Sequence, residues 1–168
     1  MCMATPRLCQ VDREYIKHLH NHVDWRVSVK YNNRPFVVLT LQIAGYDYAI
    51  PLTSQTTAER LKEGKKKRNS TATTFIYDGE NEIANLLHNN MFPVPAGVLT
   101  DVVIDPDKDT YLANEERFIR KHYDEIVAKS ESLYNDRYNT SKKNYYFLNN
   151  ICCDFNKLEE ACSKWGKP

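Results

Sequence analysis

Along this chain the spacing of apolar and polar residues changes from strand-like in the first two-thirds to helical at the end. Residues 7–11 predict a short strand. Asp12 is then placed to cap a helix in which Tyr15, Ile16 and Leu19 recur at helical spacing, ending near His22. Tyr31-Asn32-Asn33-Arg34-Pro35 predicts a turn, because Asn tolerates unusual backbone angles and Pro lacks a donor. The run Phe36-Val37-Val38-Leu39-Thr40-Leu41-Gln42-Ile43 is apolar on nearly both faces and rich in β-branched residues, as a central strand requires. Ala44-Gly45-Tyr46-Asp47 turns it into a second strand over 48–52, so a hairpin is expected in the middle of a sheet.

Residues 53–74 are polar and predict a long loop with a helical turn near 59–62. Residues 75–77 predict a strand ended by Asp78-Gly79, and 83–87 a strand or helical turn. Residues 91–95 predict an edge strand, since the prolines forbid a central place, and 102–104 a further short strand. Phe118, Ile119, Tyr123, Ile126, Val127, Leu133 and Tyr134 then form one apolar stripe that predicts a helix over 111–138. After a polar break at 140–144, a last helix over 145–165 carries Phe147, Ile151, Phe155, Leu158 and Cys162. Strands first and helices last argue an α+β fold: a small, mostly antiparallel sheet or partly closed barrel with helices packed on it. At 168 residues the whole chain, 1–168, is expected to form one domain.

Composition changes this picture little. Twenty-three Lys and Arg against 22 Asp and Glu leave a formal charge of +1, so a polyanion must be held by a local patch and not by the overall field. The longest apolar stretch, 36–50, is broken by Gln42, Gly45 and Asp47, and residues 1–10 lack a hydrophobic signal core; a cytoplasmic protein with no membrane association is expected. Cys2, Cys9, Cys152, Cys153 and Cys162 include no CxxC pair and read as reduced thiols. Of His18, His20 and His22 only the first and last share a helix face, with no carboxylate or Cys at metal spacing. Neither a metal nor another cofactor is expected.

The chemistry centres on Tyr48-Ala49-Ile50-Pro51-Leu52-Thr53-Ser54, an apolar strand ending in two hydroxyls just before Lys62, Lys65, Lys66, Lys67 and Arg68. Thr53, Ser54 and exposed backbone N–H groups can donate to phosphate oxygens while the loop cations offset charge. Thr-Ser equally well closes a strand, and the basic run equally well forms a solvated surface. As an RNA-binding element the run would release counterions irrespective of sequence. Tyr31, in a polar turn with Arg34, is the aromatic best placed to stack on an unpaired base; core packing is its other reading.

Several segments, in order, resemble the type III toxin-antitoxin endoribonuclease toxins, the ToxN/AbiQ family. They are Tyr15-Ile16-Lys17-His18-Leu19, the Tyr31 turn, and the apolar strand with Ile43-Ala44-Gly45-Tyr46-Asp47-Tyr48-Ala49-Ile50-Pro51-Leu52-Thr53-Ser54. Further along, Arg117-Phe118-Ile119-Arg120 through Ile126-Val127-Ala128-Lys129-Ser130 and Phe155-Asn156-Lys157-Leu158-Glu159-Glu160 match as well. The resemblance implies a core related to the small barrel of Kid/MazF-type RNA interferases and a metal-independent site that cleaves cellular RNA. It also implies inhibition by a repeat-encoded RNA pseudoknot antitoxin that the toxin cuts from a precursor, closure into a cyclic toxin–RNA hetero-oligomer, and growth arrest or abortive phage defence on release.

Carried over residue by residue, the resemblance gives catalytic roles to Thr53, Ser54 and Tyr31, with Arg34 near a basic position. Family members with a lysine shortly after the Ser use it as a basic group; here Gln55, Thr56 and Thr57 follow. The cation must then come from Arg34, from the 62–68 loop or from elsewhere. Metal-free cleavage by the ribose 2′-hydroxyl needs in-line alignment, stabilisation of added phosphate charge and protonation of the leaving 5′-oxygen. Two other classes fit the residues alone: a noncatalytic RNA-binding assembly protein and a barrel domain that binds a protein partner.

Overall fold

The computed structural model describes residues 6–31 and 34–167, without the side chains of Tyr31, Leu41 and Gln42. Cys2, Asn32 and Asn33 thus lie outside the described residues. β1 (Arg7–Val11) leads into α1 (Arg13–His22), whose cap is Asp12: its carboxylate accepts the Glu14 N–H at 2.8 Å. A 3-10 turn, Val29–Tyr31, precedes the hairpin of β2 (Phe36–Ile43) and β3 (Tyr46–Thr53). Ala44 and Gly45 both take positive φ, 51° and 78°, the two-residue geometry that matches the twist of a hairpin.

After β3 come α2 (Thr57–Lys62), β4 (Thr73–Asp78), β5 (Asn81–Leu87), β6 (Phe92–Val94) and β7 (Leu99–Asp101). The sheet is antiparallel throughout, in the order β4-β5-β3-β2-β1-β7, with β6 paired to β3. The β2–β3 hairpin is central, and its residues Phe36, Val37, Leu39, Tyr48, Ala49, Ile50 and Leu52 are fully buried. The edges β4 and β7 share no ladder among the described residues, so the sheet is open and not a closed barrel.

Three expected elements differ from those observed. The strand expected at 102–104 lies at Leu99–Asp101, because pairing with β1 (Cys9 opposite Asp101, Val11 opposite Leu99) selects the edge strand, and Val103 is exposed. The helix expected over 111–138 is two, α3 (Thr110–Lys121) and α4 (Tyr123–Arg137), parted at His122. α3 packs against β4 and α4 against β2. Ile119, Tyr123 and Ile126 keep one phase across the break, which is why spacing alone does not show it.

The last expected helix is likewise split into α5 (Tyr145–Ile151) and α6 (Phe155–Lys164) by an extended Cys152. The released backbone donors find acceptors: Cys153 N–H reaches the Asn89 carbonyl at 3.0 Å and Asp154 N–H the Asp24 carboxylate at 2.6 Å. Cys9, Cys152, Cys153 and Cys162 are free, buried thiols. His18 and His22 do share a face, their rings 5.4 Å apart, and no cluster of His, Cys, Asp or Glu fit to hold a metal occurs among the described residues. Among these residues no helix is long and apolar enough to cross a membrane.

His88, at the end of β5, is wholly buried and exchanges hydrogen bonds with Thr74 Oγ1 and Ser130 Oγ, each at 2.7 Å. Burial, reinforced by the Lys129 charge, pushes its pKa down to about 3, so it is a neutral bridge between sheet and α4.

Candidate functional site

β3 changes neighbours along one edge, pairing with β6 at residues 47–49 and with β5 at Leu52 and Thr53. Where the β5 ladder runs out, the two hydroxyls part company. Thr53 is buried and its Oγ1 accepts the Gln55 N–H at 3.2 Å, whereas Ser54 is exposed.

Arg34 approaches this strand end from the turn before β2. Its Nε donates to the Leu52 carbonyl at 3.4 Å, and its Nη2 lies 4.0 Å from Glu115 Oε1 on α3. Glu115 is 2% exposed and its Oε2 has no hydrogen-bond partner. Burial raises its carboxyl to about 7 against the opposing Arg34 charge. The sequence carries one signal for Glu115: it falls four residues before Ile119, a charge in line with an apolar stripe.

A raised carboxyl pKa makes the folded state hold a proton that the unfolded chain has released, so stability falls as pH rises from about 4.5 to 7. Denaturant titrations of Glu115→Gln should lack that part of the slope. Across this window wild type should lose on the order of 2 kcal/mol relative to the variant, after allowance for solvent screening. Parallel curves would mean that the Glu115 carboxyl holds its proton no more tightly in the folded than in the unfolded chain.

On the other side of Thr53, Gln55 gathers the loop. Its Oε1 accepts from Arg68 Nη2 at 2.8 Å and Arg60 Nη1 at 3.4 Å, and its Nε2 donates to Glu63 at 3.0 Å. Arg68 Nε also donates, at 3.1 Å, to Asn85 Oδ1; Asn85 is fully buried and sits opposite Thr53 in the sheet. The other end of the Asn85 amide donates to Glu82, which also takes the N–H and hydroxyl of Thr57. Asn85 therefore orients an arginine and stands between it and a carboxylate.

The basic run thus divides. Arg68 is half-buried and anchored beside Thr53, while Lys62, Lys65, Lys66 and Lys67 are exposed. Lys65 pairs with Glu63 at 2.9 Å, holding that carboxyl below its ordinary range, and Lys67 lies 4.8 Å over the Phe75 ring. Lys129 of α4 fixes the far end of the loop through the carbonyls of Ser70 and Thr73, both at 2.9 Å. Tyr31 ends its 3-10 turn three residues before Arg34, and its ring lies outside the described residues. The described part of the site is an exposed hydroxyl at a strand end, with Arg34 bonded to the Leu52 carbonyl before it and Arg68 to Gln55 after it, groups whose chemistry suits an anionic phosphodiester.

The family description "Toxin ToxN, type III toxin-antitoxin system" matches residues 7–163. The chain belongs to the ToxN family. It is 31% identical to the endoribonuclease ToxN of Bacillus thuringiensis subsp. kurstaki over 95% of this chain and 84% of that protein. A solved type III system in which a non-coding RNA pseudoknot selectively inhibits the toxin superposes with a TM-score of 0.83, at 29% identity, over 98% of this chain and 100% of that one. AbiQ, a lactococcal anti-phage endoribonuclease of the type III systems, superposes with a TM-score of 0.77, at 25% identity and the same coverage. This ToxN-family chain therefore matches its relatives across its β-sheet and its helical end alike.

Proposed function

We propose that this chain is the endoribonuclease toxin of a type III toxin-antitoxin system, cutting RNA without a metal. In this reading an RNA pseudoknot restrains it, the toxin processes that antitoxin from a precursor, and the two close into a ring in the cytoplasm. Free toxin would arrest growth or abort phage infection. Kinship of the open sheet with the Kid/MazF small barrel belongs to the same reading.

The observation that carries it is the exposed Ser54 at the end of β3, with Arg34 tied to the Leu52 carbonyl on one side and Arg68 tied to Gln55 and Asn85 on the other. The ribose 2′-hydroxyl attacks the adjacent phosphorus, and the 5′-oxygen leaves with a proton. Ser54 donates a hydrogen bond to a nonbridging oxygen, and the guanidinium charges stabilise the extra negative charge that builds there. Thr53 acts as a positioning residue through Gln55, and Tyr31 places the nucleotide. An unassisted serine hydroxyl is too weak a base to take the 2′ proton, so alignment and charge stabilisation carry the role of Ser54.

The test is cleavage of single-stranded RNA in excess EDTA with analysis of the ends. The expected result is undiminished cutting to 2′,3′-cyclic phosphate and 5′-hydroxyl termini. Loss of activity in EDTA, or 5′-phosphate products, would overturn the mechanism. Tight RNA binding without any cutting would favour the noncatalytic alternative.

A further inference from the structure

Arg68 also borders a groove between the loop after β3 and α5. Arg60, Lys66, Lys67 and Arg68 lie on its walls with Asn90 and Phe147. Four other surface grooves of comparable size each carry a carboxylate, namely Asp101, Glu160, Asp78 and Asp12; this one carries none among the described residues. A chain with a formal charge of only +1 therefore gathers four cations in one concave surface.

Phe147 is the second unusual feature. An apolar residue among those the last helix was expected to carry, it is 44% exposed and borders the cationic groove. The split after Ile151 accounts for this, since α5 turns its own face and only Leu148 of that helix is fully buried. A lone exposed aromatic is ordinary. An exposed ring in a groove lined by cations and amide groups and by no carboxylate among the described residues has the composition that single-stranded nucleic acid requires: charge for the backbone and a flat apolar face for a base.

We propose that this groove is a nucleotide subsite, in which Phe147 stacks on an unpaired base and Lys66, Lys67 and Arg68 hold the flanking phosphates of the strand whose cut bond lies at Ser54. This rests on the function proposed above and extends it from the cut phosphate to a neighbouring nucleotide. Because Arg68 belongs both to the Thr53 cluster and to the groove wall, strand binding and phosphate charge stabilisation share one side chain. A duplex cannot use the site, since its bases are stacked on one another and their faces are closed to the ring.

The probe is a single-stranded 2′-O-methyl RNA octamer, which resists cleavage, bound to the full chain. Phe147→Ala should weaken its binding about tenfold, in keeping with one base-aromatic stack. Phe147→Trp should restore it. The double change Lys66→Gln with Lys67→Gln should lower the slope of log affinity against log salt by about 1.4, as expected for two phosphates on a single strand. With cleavable RNA, Phe147→Ala should raise KM and leave kcat within about twofold.

Binding by Phe147→Ala within twofold of wild type, with the variant folded by circular dichroism, overturns the subsite; so does equal affinity for a duplex of the same length. The underlying reading is judged separately by Ser54→Ala. If Ser54→Ala abolishes cutting while Phe147→Ala is neutral, the subsite alone fails; if Ser54→Ala cuts normally, the reading of the site fails with it.

Discussion

Replacing Ser54 by alanine is expected to slow RNA cleavage about a hundredfold or more while leaving RNA affinity within a few-fold of wild type. The reason is geometric. Ser54 is exposed at the end of β3, whereas its neighbour Thr53 is buried with its hydroxyl accepting from Gln55. A hydroxyl that strengthens its bond as charge builds on phosphate lowers kcat when removed, and changes ground-state binding little. The measurement is single-turnover cleavage beside binding of a noncleavable analogue. Unchanged cutting would remove Ser54 from the chemistry. Thr53→Ala should act differently, because it disturbs the Gln55 bond: a smaller fall in rate should come with altered stability, while Thr53→Ser keeps the acceptor and most of the activity.

Acidification is expected to unfold the protein from within the sheet–helix contact at His88. The ring is buried, bonded to Thr74 and Ser130, and its pKa is depressed to about 3, so the folded state refuses a proton that the unfolded chain accepts near its ordinary value. The resulting stability is complete above about pH 6.5 and drains away as pH falls toward 3. Between pH 7 and pH 4 the loss is about 3 kcal/mol, a large share of a typical domain's stability. His88→Gln, which can still bridge two hydroxyls, should be nearly free of that slope. Urea midpoints at each pH decide it; a variant that loses stability with acid as steeply as wild type would place the labile group elsewhere. Glu115 tilts the balance the other way, since its raised pKa penalises the folded state as pH rises toward 7.

The sequence was most legible where neighbouring residues alone decide structure. β1, α1 with its Asp12 cap, and the β2–β3 hairpin all follow from local spacing and turn chemistry. The breaks at His122 and Cys152 were illegible because the spacing of apolar residues runs on through both, and because at the second the Cys153 and Asp154 N–H groups are satisfied by the distant Asn89 and Asp24. In the site, the Thr-Ser ending could be read from order along the chain, but its asymmetry of burial could not. The roles of Gln55 and Asn85 were hidden for the same reason: each matters through an arginine that reaches it across the fold. The helical placing of Phe147 was legible, but not its exposure, because periodicity records which residues are apolar and not where a helix turns.

The stretch from Gln55 to Ala72 departs from β3 and returns to β4, strands that flank β5. Among the described residues its clasps include Gln55 and Asn85 on the arginines, Glu82 on Thr57, and Lys129 and the His88 N–H on the returning backbone. Such a segment behaves as an exchangeable cassette. Its lysines are exposed and can be redrawn by drift or by grafting without repacking the core, provided the clasping side chains travel with it.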